Sequence, residues 1–456
     1  MHNYMLQQID PSEKVSTEVS KLFKVLKINQ LLHTANIRKA SGIKVQQIFE
    51  FLFLLAFLGK KMNRFLNSQR GQDLPGKDSY YRFLNNPKFA WRRFLLQLSL
   101  QVTDAFDQLT SDKRVRVFIL DDSILSRSRT KKAELLARVF DHTSHLFVKG
   151  FTMLTLGWSD GNSFVPVDFA MLSSANAENR YNEASDRIDK RTHGAKRRAE
   201  AIVSKTENVL GLIQNALDTG LTADYVLMDS WFTTEPMFKA ILDKHLHTIG
   251  MVKQLKQRYR YNGQTMTLSE LRATLPATSR SEIIGSRHVQ TKQGIPVKIV
   301  FIQNRNNKRE WLAILTTDTT LEDQEIIRIY GMRWSIEVFF KSAKSLLKLG
   351  SEFQGKSYDM LIAHTTIVFT RYILLEWERR NNQDSRSYGE IFYLFCDEIQ
   401  DIDYQTAIRQ LLFFIAELLG KLSKDLSAAI LCQVRYWIAG QPAYIRALMP
   451  VLNCEI

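Results

Sequence analysis

The residues from Tyr330 to Lys344 read YGMRWSIEVFFKSAK. On a helix at about 100° per residue, Tyr330, Arg333, Glu337 and Lys344 fall within an arc of about 60°. Lys341 and Lys348 share that side. Leu346, Phe339, Met332, Ala343, Ile336 and Leu347 cover the other, so the stretch predicts one amphipathic helix. Its polar face sets a single carboxylate among cations and a tyrosine. Such a face suits a phosphodiester. A carboxylate binds a divalent metal, and guanidinium, ammonium and phenol groups hold phosphate oxygens. The plainer alternative is a solvated face with Glu337 paired to Lys341 one turn on. Carboxylates from elsewhere in the chain decide between the two.

Two other stretches offer them. Arg114 to Leu120 (RVRVFIL) alternates and then turns wholly apolar, the pattern of a central strand, and it runs into Asp121-Asp122-Ser123. Ala223 to Met228 (ADYVLM) is a second strand, followed by Asp229-Ser230-Trp231. An acid at the end of a buried strand tends to face a cleft; turn initiation or helix capping is the competing role. Between these strands lie the basic loop Ser126 to Lys132, a hairpin (Lys149 to Trp158 with Ser163 to Ala170), and a basic block, Asp186 to Arg198. The block holds Lys196, Arg197 and Arg198 and reads either as a solvated face or as a contact for DNA backbone. The order strand, hairpin, helix, strand, helix, strand, then helix defines an α/β core. Residues 253–310 break that rhythm with short alternating strands and basic loops such as Asn304 to Arg309, a β-rich insertion.

The flanks read as helical. In residues 1–110, Lys21 to Leu32, Ile43 to Leu58, Lys77 to Asn86 and Ala90 to Asp107 are the helical segments. Lys77 to Asn86, with a cap signal at Asp78 and Ser79 and with Tyr80, Tyr81 and Arg82 near its start, resembles a recognition helix or else a structural helix. After Lys348, Met360 to Arg380, Leu411 to Leu422 and Leu426 to Ile438 are helical again. The chain has 456 residues, 45% of them hydrophobic, enough for several domains with a packed core. Its formal net charge of +15 points to a polyanionic partner. Three cysteines and no CxxC motif exclude a disulfide framework and a zinc site of that type. The opening MHNYMLQQIDPSEK lacks the pattern of a signal peptide, and the longest apolar run, Phe51 to Leu58, is too short to span a bilayer. There is no phosphate-binding loop of the G-x4-GK[ST] type.

Tyr330, Arg333, Glu337 and Lys344 match the Y-x2-R-x3-E-x6-K signature, and with L-D-D-S at 120–123 and M-D-S-W at 228–231 the chain resembles DDE transposases of the insertion-sequence family four (IS-4). The resemblance covers residues 110 to 350. It implies a ribonuclease-H-like catalytic core at 111–252 and 311–350, interrupted by the insertion at 253–310. The core is flanked by a helical, DNA-binding region at 1–110 and a C-terminal helical region at 351–456. It implies that Asp122, Asp229 and Glu337 bind two Mg²⁺ ions, with Mn²⁺ as a substitute. Ser123 selects Asp122, with Asp121 left as the alternative. Tyr330, Arg333 and Lys344 would hold phosphates at the element's end, with Lys341 beside them. Trp334 would stack on an end base or pack at a boundary. An aromatic for a flipped base, Trp311 or Trp231, has no motif behind it. The implied activity is cut-and-paste transposition, with end nicking, a hairpin intermediate and strand transfer. The implied partners are double-stranded DNA and a second subunit, in a homodimeric synaptic complex with no membrane. The setting would be the cytoplasm, on a bacterial or archaeal nucleoid. A ribonuclease-H-like nuclease or resolvase, and a non-catalytic DNA-binding descendant, remain as alternatives.

Overall fold

In a computed structural model, residues 18–441 are described, apart from 69–70, 73, 112–113, 143, 255–256, 277–281, 305–306, 308–309, 354 and 382–384. The opening segment, most of the Asn304 to Arg309 loop and Cys454 lie outside the described residues. The chain divides into two compact units. The smaller gathers residues 1–25, 57–59 and 390–456, the larger residues 26–56 and 60–389.

The described residues begin with the helices α1 (Glu18–Val25), α2 (Ile28–Thr34), α3 (Val45–Leu54), α4 (Met62–Leu66), α5 (Lys77–Leu84) and α6 (Trp91–Gln108). The single helix expected from Lys21 to Leu32 is two, because Lys27 takes a left-handed conformation at φ 48° between them. The expected cap at Asp78 and Ser79 is also displaced. Gly76 caps α5, and Asp78 sits in its first turn, where a carboxylate favours the positive helix end. Tyr80 is buried, its ring 4.6 Å from that of Phe51, so this tyrosine belongs to the core and not to a recognition surface.

Strands β1 (Val117–Ser126), β2 (Ala137–Asp141), β3 (Leu146–Ser159) and β4 (Phe164–Leu172) come next. They are followed by α7 (His193–Glu200), α8 (Lys205–Thr219), β5 (Tyr225–Met228), α9 (Glu235–Leu242) and β6 (His247–Val252). Strand β1 pairs antiparallel with β3 and parallel with β5, and β5 pairs parallel with β6. β4 and β2 both lie along the far edge of β3. Strand β1 runs on past its acids to Ser126, because the long β3 carries its second half after the shorter β5 has ended. Asp121 and Asp122 therefore stand within a strand, one and two steps beyond its last pairing with β5.

Between β6 and β11 (Trp311–Thr316) the chain forms β7 (Arg258–Tyr261), β8 (Gln264–Thr267), α10 (Leu268–Ala273), β9 (Ile283–Gln290) and β10 (Pro296–Gln303). These strands extend the same sheet, which runs β2-β3-β1-β5-β6-β11-β10-β9-β7-β8 with β4 beside β3. Their apolar side chains, Tyr259, Leu271, Ile299 and Phe301 among them, pack with Phe238 and Leu315 in a common core. The result is a mixed α/β fold built on an eleven-stranded mixed sheet.

Helices α11 (Asp323–Gly331) and α12 (Trp334–Ser345) follow, then α13 (Tyr358–Asn381), α14 (Tyr388–Leu419) and α15 (Lys424–Ala439). The α13 helix has no solvated face and is almost wholly buried, its polar side chains included, as befits a central helix. It packs on α6, α5, α3, β4 and α12. Arg371 on it is fully buried and donates to the carbonyls of Leu347, Leu52 and Phe53 and to Glu352, so one guanidinium satisfies carbonyls at the ends of two helices, α3 and α12, and pairs with an acid. In the smaller unit, Phe57 packs on Phe392 and Phe395, and Glu398 caps the Glu18 amide. Among the described residues no helix is long and apolar enough to cross a membrane.

Candidate active site

Paired strands present laterally adjacent residues on the same face. Leu120 of β1 stands opposite Met228 of β5, so the next residue on each chain is an aspartate, Asp121 beside Asp229. After Met228 the chain turns. The Asp229 carboxylate accepts the amides of Trp231 (2.9 Å) and Phe232 (3.3 Å), and Thr233 Oγ1 donates to its carbonyl at 2.6 Å. This turn holds the aspartate at the strand mouth.

The third acid arrives on α12. The helix expected to be continuous from Tyr330 to Lys344 is interrupted at Met332 and Arg333, although both keep right-handed helical dihedrals. It ends at Ser345, and Lys348, expected on its polar face, lies beyond it at φ 65°. Across the interruption Arg333 reaches two acids at once. Its guanidinium donates to Asp121 at 2.8 Å and to Glu337, one turn along. Glu337 therefore pairs back with Arg333 and not forward with Lys341. The ring hydroxyl of Tyr330 lies within reach of the charges of Arg333, Asp229 and Asp121, and burial raises its pKa. Burial pushes the Asp121 carboxyl up to about 6, with the charges of Asp229 and Asp122 adding to the effect. Arg333 and the Asp122 amide oppose it. Lys344 Nζ donates to Ser123 Oγ at 2.6 Å, and burial lowers its pKa.

Asp122, expected as the first acid, is placed differently. Successive residues of a strand project to opposite faces, and Asp122 pairs with Lys205 at the start of α8, 3.1 Å away. Lys205 in turn lies 4.8 Å over the ring of Trp231. The acid that shares Arg333 with Glu337 is Asp121.

The basic block also departs from expectation. Lys196 is exposed. Arg197 and Arg198 are buried, because α7 turns them inward. Arg198 clasps Asp359 through both nitrogens (2.9 and 2.8 Å) and reaches Glu134 at 2.6 Å. Arg197 sits among Phe169, Asp168 and Glu200. Neither can reach a phosphate from there. On and just after α12, Lys341, Lys344, Lys348 and Trp334 are exposed, Trp334 by 65%. Trp311 packs on Phe301 in the sheet core, whereas Trp231 is exposed beside Asp229. The sequence reading missed Lys205, which carries no motif; its lysine stands at the first position of a helix capped by Ser204.

Two family profiles match this chain: "DDE superfamily endonuclease" over residues 70–266 and "Transposase DDE domain" over residues 198–374. The chain carries a DDE transposase domain. These matches support a DNA-cleaving transposase enzyme with a recombination function. None of the curated proteins matches it. A cryo-EM structure of the piggyBac transposase synaptic complex with hairpin DNA is similar at TM-score 0.45 and 11% identity. The match covers 96% of this chain and 85% of that one, and a likeness this low carries no weight by itself. DDE transposase domains depend in general on divalent metal. Among the described residues no three His, Cys, Asp or Glu side chains stand close enough to hold an ion. The donor chemistry nonetheless fits one. Asp121 and Glu337 offer only hard carboxylate oxygens, Asp229 adds a third acid level with Asp121, and Arg333 supplies the positive charge that the two bridged acids call for.

Proposed function

We propose that this chain is an insertion-sequence transposase of the IS-4 kind, moving its element by cut and paste. The reading rests on one observation above all. The signature arginine, Arg333, bridges Glu337 to an aspartate of β1 that stands level with Asp229 at the end of β5. The order β4-β3-β1-β5-β6, antiparallel through β1 and parallel after it, supports a ribonuclease-H-like core. We assign that core to residues 111–252 and 311–350, with an insertion at 253–310 and helical regions at 1–110 and 351–456.

The metal-binding acids in this reading are Asp121, Asp229 and Glu337, with Asp121 replacing Asp122. These three carboxylates would hold divalent ions, Mg²⁺ by the hardness of their oxygens, and the ions would supply Lewis-acid chemistry at the reacting phosphate. The residues of the chain do the rest. Arg333 holds the acids in place and, released from them, grips a non-bridging phosphate oxygen in its planar fork. Lys344 and Lys341 fix the backbone on the flank of α12, and Tyr330 donates its hydroxyl to phosphate. Trp334, unburied at the helix start, offers a face for an end base. Cleavage of one strand, attack of the freed 3′-hydroxyl on the other to give a hairpin, and joining to target need no covalent enzyme intermediate. Two subunits would bring two element ends together.

The test is a plasmid carrying the DNA that borders the coding region, incubated with the full chain and Mg²⁺. Excision at short inverted repeats, with joining of the ends to a target plasmid, is the expected result. Cleavage without any joined product would replace this reading with a nuclease or resolvase. No cleavage at all, with DNA still bound, would replace it with a non-catalytic descendant.

A further inference from the structure

The β2–β3 ribbon carries an exposed face that the catalytic reading leaves unused. Arg138 stands directly opposite Lys149, and Phe140 directly opposite Phe147. Residues that face each other, or lie two apart on one strand, share a face. Phe147 is 55% exposed, and its ring lies 5.2 Å from that of Phe140 and 4.2 Å under the Arg138 guanidinium. Lys149 covers the exposed ring of Tyr181 at 4.9 Å.

Two features make this more than a solvated edge. Like charges placed opposite each other across a strand pair destabilise it, yet among the described residues no carboxylate forms an ion pair with Arg138 or Lys149. An anion from outside would relieve that repulsion. The ribbon also borders the active site. The amide of Arg127, just after β1, donates to the Lys149 carbonyl at 2.7 Å, and Asp141 is near enough for its charge to act on Lys344.

The geometry points to this ribbon as a second DNA contact, taking the duplex next to the cleavage site, and the inference rests on the transposase reading above. A two-stranded ribbon fits the major groove of duplex DNA. Arg138 and Lys149 contact phosphates, and Phe140 and Phe147 press on sugars or thymine methyls in that groove.

The experiment uses the full chain and two probes: a duplex made from the DNA bordering the coding region, and a scrambled duplex of the same length. Phe140→Ala with Phe147→Ala removes only exposed rings, so the thermal midpoint should hold while affinity for the bordering duplex falls about tenfold. Arg138→Gln with Lys149→Gln should lower the slope of log K against log salt by about 1.8 on both probes. Unchanged affinity and slope would overturn the proposal. So would unchanged DNA binding with loss of self-association in the phenylalanine variant, which would make the face a protein contact. Cleavage by the parent chain, and its loss in Glu337→Ala, are read in the same series. If cleavage never appears but the ribbon variants lose affinity, the transposase reading falls and the ribbon stands. If cleavage behaves and the ribbon variants bind like the parent, the ribbon alone falls.

Discussion

Arg198→Met separates two meanings of the same basic block. The side chain is 6% exposed, and its two terminal nitrogens make three charge-assisted bonds, two to Asp359 and one to Glu134. Its Nη1 also donates to the Gly194 carbonyl at 3.0 Å. Glu134 in turn accepts the amides of Ser185 and Tyr358, so the arginine is the hub that joins the start of α13 to α7 and to the chain before β2. Methionine fills much of the volume and leaves two carboxylates facing each other without their cation. Removing one partner of a buried pair costs about 3–5 kcal/mol, a large share of the roughly 5–15 kcal/mol that holds a domain folded. In a chain of this size that is a fall in thermal midpoint of roughly 3–5 °C. Calorimetry reads the midpoint, and a salt titration of DNA binding on the same samples reads phosphate contacts. Lys196→Gln is the partner variant: exposed and unburdened by such bonds, it should lower the salt slope by about 0.9 and leave the midpoint alone. The reasoning fails if Arg198→Met keeps its midpoint and loses about 0.9 of slope, since that is how a surface phosphate contact behaves.

Three further predictions bear on the site and the core. Asp121→Asn should abolish metal-dependent cleavage with DNA binding retained, whereas Asp122→Asn should leave measurable cleavage; the reverse ranking in a plasmid-nicking assay would return the first acid to Asp122. Lys344→Ala should weaken binding to bordering DNA and lower its salt slope by about 0.9, and an unchanged slope would remove Lys344 from the phosphate contacts. The fold should lose stability as pH drops below about 6.5, the ordinary histidine pKa. His364 is buried, and burial depresses its pKa, with Arg371 and Arg127 adding to the effect and Glu352 opposing it. The unfolded chain therefore takes up the proton first, and proton uptake favours it. His364→Gln should flatten the decline in thermal midpoint between pH 7 and 5, and an equally steep decline would exclude this histidine as its source. Glu352, buried but held below the usual carboxylate range by Arg371 and His364, keeps its contribution in that window and loses it only at lower pH.

Legibility in the sequence followed the range of the interaction. The apolar run into Asp121, the run into Asp229 and the polar stripe from Tyr330 to Lys344 are local patterns; β5 lies where its pattern placed it, β1 starts within its run but continues past the acids, and α12 takes only the second part of the stripe. The hairpin around Asp160-Gly161 was equally plain, since its turn chemistry is written in four residues. The choice between Asp121 and Asp122 was not. Strand parity says only that the two point apart; which one shares Arg333 with Glu337 depends on the face of β1 that α12 packs against, a long-range fact. The basic block failed for the same reason. Nothing near Arg198 announces that its partners are Glu134 and Asp359, 64 and 161 residues away. The interruption at Met332 lay below the resolution of periodicity, because its dihedrals stay helical and only the hydrogen bonds change.

The two faces of β1 now carry different physics. On one, Asp122 has a lysine of its own, Lys205, and the charge is settled within the chain. On the other, Asp121 is buried near Asp229, and the single guanidinium of Arg333 is divided between Asp121 and Glu337. One cation against that many acids leaves negative charge in a place where water cannot fully screen it. A fold that needed only stability would replace such a group with apolar side chains at little loss. On the reading proposed above, divalent cations on the acids would fill that deficit and leave Arg333 free for phosphate, which is the role that Asp121→Asn tests.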